Sequence, residues 1–181
     1  MERLKRDSLI VSLIGSLKGK GSWCGETHVQ KTAYFLQELL GVPLEFDFIL
    51  YKHGPYSFDL SAALTQMRAD GTVKLIPQWP YGPSLEPDTT SELLKKLYPK
   101  TIKKYDPQIQ FTADKLGKKN VAELERLGTA LYVTLDAPTV TKPGIRAKRI
   151  HKLKPHVPLD KALEAVNELD SIREAAESVR S

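Results

Sequence analysis

Cysteine and histidine four residues apart are the first place to look for chemistry in this 181-residue chain, which carries Cys24 and His28. A nucleophilic thiol needs a histidine base held by a third group, and the spacing supplies no Asn or Asp for that role. The pair therefore reads as a surface cysteine beside a first-turn histidine. Zinc would need a tetrahedral ligand set, and His53, His151 and His156 are scattered without a ligand spacing, so no metal and no cofactor are assigned. Glu26 with His28 and His53 with Asp59 are acid-base pairs by proximity alone. Gly19-Lys-Gly21 lacks the form of a phosphate-binding loop, and Gly15-Ser16 lacks the flanks of a nucleophile elbow. With no nucleophile matched to a base and no phosphate cradle, the chain reads as a protein that binds without catalysing.

Charge offers a second kind of chemistry. A formal net charge of +5 invites nucleic acid as a partner, and the location of the cations decides how far to follow it. One run comprises Lys95, Lys96, Lys100, Lys103 and Lys104; the other comprises Lys142, Arg146, Lys148, Arg149, Lys152 and Lys154, with no acid inside it. Each is either a solvated helix face and loop or a phosphate-tracking surface. The lone Cys24 excludes an internal disulfide and suits a reducing compartment. No apolar run approaches the ~20 residues of a membrane span, and Leu9-Ile-Val-Ser-Leu-Ile14 is too short for one. That run is expected to form a folded first helix in a cytoplasmic protein with no membrane contact.

The elements that position these groups follow from periodicity. Leu9, Leu13, Ile14 and Leu17 recur at helical spacing until Gly19-Lys-Gly21-Ser22 breaks the pattern. Thr27-His-Val-Gln30 has the form of a capping box, opening a helix through Val29, Ala33, Leu36 and Leu40 that Gly41 stops. From Leu44 the period becomes two, with Leu44, Phe46, Phe48 and Leu50 on one face of a short strand. Ser57 then caps a helix carrying Leu60, Ala63, Leu64 and Met67, and Asp70-Gly71 turns it into an extended Thr72-Val-Lys-Leu-Ile76. Pro77, Pro80, Pro83 and Pro87 leave a stiff irregular loop at the place of a wing, carrying Trp79 and Tyr81 either as a contact surface or as a lid on the core. Helices are expected from Ser91 to about Tyr105, from Lys119 or Asn120 to Asp136, and from Leu159 to about Val179.

Strand, Gly54-Pro55 corner, helix, Asp-Gly turn and strand together make the middle of a winged-helix unit. Proline fixes its own φ and pushes Gly54 out of the right-handed region, which glycine tolerates, so the corner sets the direction of the helix that follows. As a DNA reader that helix is poorly equipped: its first turns present Asp59, Ser61 and Thr65 rather than Arg, Asn or Gln, with Gln66 and Arg68 near the far end.

Lys31-Thr-Ala-Tyr-Phe-Leu-Gln37, Phe46-Asp-Phe-Ile-Leu-Tyr51, His53-Gly-Pro-Tyr-Ser57 and Gly71-Thr-Val73 stand in the order and spacing of the bacterial Panacea domain and the related YwgA-like, SocA-like antitoxin proteins. Gln30, Lys31, Tyr34, Phe35 and Gln37 match that family's signature helix, with Thr32 where Leu is usual; Tyr51, Gly54, Pro55, Tyr56 and Ser57 match its corner. Leu116-Gly117 and Leu124-Glu-Arg-Leu127 also look similar. The resemblance implies an antitoxin-type protein that binds and neutralises a toxin.

The expected architecture is mainly α with a small β-sheet: a single domain over 1–181, with a winged-helix-like core at 1–88 and a helical extension at 89–181 packed on it. Expected partner contacts are Tyr51, His53, Tyr56, Trp79 and Tyr81. The alternative is a winged-helix DNA-binding regulator, or a nonspecific nucleic-acid binder using Lys142, Arg146, Lys148, Arg149, Lys152 and Lys154. Oligomeric state is left open.

Overall fold

The structure, a computed structural model, describes residues 1–180. The chain is mainly helical with a small β content, as its periodicities require. Helix α1 (Arg3–Gly19) buries Leu9, Ile10, Val11, Leu13, Ile14 and Leu17 completely, more than a single stripe. A helix apolar on several sides belongs at the centre. Around it lie α2 (Glu26–Tyr34), α4 (Ser91–Leu97) and α5 (Pro99–Leu116). A π-helical turn, Phe35–Leu39, extends α2, and Gly41 at φ +74° supplies the expected left-handed stop.

Strands β1 (Ile49–Tyr51) and β2 (Gly54–Tyr56) form one antiparallel hairpin. Helix α3 (Phe58–Ala69) follows, its first turn capped by Ser57 Oγ accepting from Leu60 N at 3.2 Å. Gly71 at φ +68° then leads into β3 (Val73–Gln78), paired antiparallel with β4 (Tyr81–Pro87). The expected succession of strand, helix and strand is present over residues 49–78. Its strands make two separate two-stranded sheets, because β1 pairs with β2 and not with β3.

Four local expectations are corrected. The strand expected from Leu44 begins only at Ile49; Leu44 and Phe46 alternate inward as expected but have no neighbouring strand. The stiff loop at the wing is a hairpin: Pro77, Pro83 and Pro87 sit on edge strands, where a missing N–H breaks no interior ladder, and Gln78 pairs with Tyr81 around a Trp79-Pro80 turn. The helix expected from Ser91 to Tyr105 is two helices, divided where Tyr98 meets Pro99 at the first position of α5. Helix α5 then runs through Pro107 to Leu116, because Tyr105, Ile109, Ala113 and Leu116 are buried on both sides of the proline.

Helix α6 (Val121–Asp136) opens on a capping box, with Glu123 N donating to Asn120 Oδ1 at 3.0 Å and Asn120 N to Glu123 Oε2 at 2.8 Å. Helices α7 (Pro143–Leu153) and α8 (Leu159–Ala176) complete the chain. The later helices share one contiguous core with the first 88 residues, in which Ile109, Leu127 and Val166 join Leu13 and Leu36. Among the described residues no helix is long and apolar enough to cross a membrane.

Candidate functional site

The signature helix and the corner meet through two glutamines. Gln30, fully buried, accepts from Ser57 N and donates to Ser57 O, both at 2.9 Å. Gln37 does the same to Phe46, again at 2.9 Å on each bond. Each side-chain amide thus stands in for the peptide of an absent strand neighbour, which is how the extended backbone around β1 and β2 is satisfied without a wider sheet. The capping box expected at Thr27 is not formed, because Gly25 precedes α2 and Gln30 is committed to Ser57.

Gly54 adopts φ +84°, and a Cβ there would lie 3.2 Å from the Glu125 carbonyl oxygen. Pro55 rests on Gly128, where a Cβ would meet the ring at 3.0 Å. The corner is therefore clamped to α6 by two glycines that permit close backbone approach. Gly128, placed mid-helix on the buried side of α6, is the sequence signal that foreshadows this contact.

Beneath the corner lies a group of charges that sequence reasoning missed. Lys31 is only 2% exposed, and burial pulls its amine down to about 8, with Glu125 opposing. Glu125 is buried as well, with His156 Nε2 at 3.0 Å, His53 Nδ1 at 3.8 Å and Lys154 Nζ at 3.9 Å from its carboxylate. Lys154 donates to the carbonyls of Tyr51 and Lys52, the latter at 2.7 Å, and so holds the β1–β2 turn. Burial also lowers the Lys154 pKa, again against Glu125. His53 is drawn to Glu125 and not to Asp59.

Above this base, Tyr51, Tyr56 and Phe58 form a three-ring cluster with centroids 5.1 to 5.8 Å apart. Tyr51 is 52% and Phe58 57% exposed, so the cluster faces solvent. At the hairpin tip Trp79 is 95% and Tyr81 70% exposed, which places neither ring as a lid on the core. Tyr81 stands edge-on to Trp23 at 5.1 Å.

Beside the first aromatic group, Glu26 Oε1 accepts from Tyr56 Oη at 3.2 Å and from Ser61 Oγ at 2.8 Å. Glu26 also lines a cleft of about 910 Å³ between the first turn of α2, α3, β4 and the turn at 117–122. Trp23, Leu64, Leu75, Tyr81 and Leu85 contribute apolar wall. His28 lines it too, buried, with Nδ1 lacking a hydrogen-bond partner; burial lowers its pKa against the pull of the Lys119 backbone.

Cys24 is completely buried, not on the surface, and burial pushes its thiol up to about 12, far from a reactive thiolate. The second basic run is divided by the fold. Arg146 is buried and forks onto Asp170 at 2.5 and 2.9 Å, Lys154 serves the corner, and Arg149 pairs with Asp136. Lys142, Lys148 and Lys152 remain exposed along α7. In the first run Lys95 pairs with Glu92 at 2.9 Å, and Lys96, Lys100, Lys103 and Lys104 are exposed. No protein-family model and no curated protein matches this chain.

Proposed function

We propose that this chain is a noncatalytic binding protein of antitoxin type, which neutralises a partner protein by covering it. The observation that carries the reading is Trp79, 95% exposed at the tip of a hairpin. Burying a Trp of about 200 Å² at about 25 cal/mol/Å² is worth roughly 5 kcal/mol before ordering costs, which the hairpin reduces by fixing the backbone that carries the ring. Tyr81 beside it, and Tyr51, Tyr56 and Phe58 beyond Glu26, extend the surface with amphipathic rings of the kind that anchor interfaces. The toxin-neutralising part of the reading rests on the resemblance to the Panacea and YwgA-like proteins.

The test is co-expression with the neighbouring open reading frame. A product toxic alone and harmless with this chain is expected, with rescue lost in Trp79→Ala,Tyr81→Ala, whose capture weakens by well over about tenfold. Rescue and affinity unchanged in that variant, and in Tyr51→Ala,Phe58→Ala, would reject the surface. The nucleic-acid alternative retains Lys142, Lys148 and Lys152 but not the buried Arg146 and Lys154. Duplex affinity falling steeply with salt, alongside no protein capture, is the result that would favour it.

A further inference from the structure

The cleft has more chemistry than a protein-covering surface requires. Its apolar wall, from Leu64, Leu75 and Leu85, meets the aromatic rings of Trp23 and Tyr81, and its volume of about 910 Å³ suits a small organic molecule. Its charge is lopsided: Arg68, Lys118 and Lys119 line it against one carboxylate, Glu26. Lys119 is paired with Glu168 at 2.6 Å, while Arg68 and Lys118 have no ion pair among the described residues. Glu26 is engaged by Tyr56 and Ser61 on the α3 side.

The first turn of α2 enters the same space. Gly25 offers no side chain to cap it, so the amides at its start keep their attraction for a negative group. His28, on that turn and only 4% exposed, also contributes to the cleft lining.

We propose that this cleft binds an amphipathic organic anion, an aromatic or aliphatic body seated on Trp23, Leu64 and Leu85 with its acidic head toward Arg68, Lys118 and the start of α2. The apolar body supplies affinity through area removed from water, and the two unpaired cations select the charged head over a neutral one.

Anilinonaphthalene sulfonate is the probe, followed by fluorescence and calorimetry on the full chain, with decanoate and decanol as competitors. One saturable site is expected, displaced by decanoate at least tenfold more effectively than by decanol. Arg68→Glu,Lys118→Glu, both on exposed side chains, should weaken the sulfonate by more than tenfold with unchanged circular dichroism. Thr65→Trp, which fills the cleft from the exposed face of α3, should block it. Equal competition by decanol, or affinity indifferent to charge reversal, would overturn the proposal, as would several weak sites unaffected by Thr65→Trp. Trp79 does not line the cleft, so Trp79→Ala should retain the probe while losing protein capture, which separates failure of this site from failure of the covering surface.

Discussion

Replacing Lys31 with Met tests whether a charge is held in the core beneath the corner. Lys31 has its ordinary value of 10.5 lowered to about 8 by burial, against the attraction of Glu125. Below about pH 8 the folded and unfolded chains both carry the proton, and the fold bears the full cost of burying it. Between about pH 8 and 10.5 the folded chain releases the proton first, so the unfolded state binds more protons and stability rises with pH. At about 1.36 kcal/mol per pH unit the whole gap is worth roughly 3 kcal/mol, of which about 2 kcal/mol is gained between pH 7.5 and pH 10. Lys31→Met lacks this group, and its Glu125 keeps His156 and Lys154 nearby.

Urea unfolding followed by tryptophan fluorescence at both pH values measures the difference. Wild type should gain about 2 kcal/mol on the variant as the pH is raised, with equal m-values. All other titrating groups are common to both chains and largely cancel. Parallel pH profiles would refute the reasoning, because they would mean that Lys31 titrates as it would in water. A gain in the opposite sense would mean that the folded state favours the ammonium.

The remaining predictions concern the corner and the divided basic run. Gly54→Ala forces a side chain into φ +84° and against the Glu125 carbonyl, and should cost about 2 kcal/mol or more by urea midpoint; a neutral result would show that the corner can relax. Gln30→Ala leaves the buried Ser57 N–H and C=O unpaired and should cost about 2–4 kcal/mol, more than Gln37→Ala, whose bonds to Phe46 are only part-buried. Asp170→Ala leaves the buried Arg146 guanidinium without its counter-charge, held only by Thr134 Oγ1 and the Thr141 carbonyl, and should lower stability by about 2–4 kcal/mol, whereas Arg146→Met should cost less; thermal melts of the two variants give the order.

Much of the site was legible where the signal is short-range. Tyr51, Trp79 and Tyr81 are exposed with Tyr56 half-buried beside them, Ser57 caps α3, and Gly54 lies outside the right-handed region, at a positive φ that glycine tolerates. The hairpin at the wing escaped notice because four prolines argue against a strand unless its edge is known to be free, and an edge is a property of the sheet. The helix expected to end near Tyr105 instead runs on past Pro107, because a proline ends a helix only when flanking contacts are too weak to carry the chain past it.

The charged residues show where local reading stops. Arg146 and Lys154 look in one dimension like any other members of a solvated run, yet Arg146 finds Asp170 24 residues away and Lys154 finds the Tyr51 carbonyl 103 residues away. Lys31, Glu125 and Cys24 likewise gained their burial from segments that meet only in the folded chain. Caps, turns and apolar faces are written in neighbours a few positions apart, because backbone dihedrals and side chain to backbone bonds act over that range. Which cation is solvated, which is buried, and how a cleft comes to lie between α2, α3 and β4 depend on the packing of distant elements, and no run of adjacent residues encodes that.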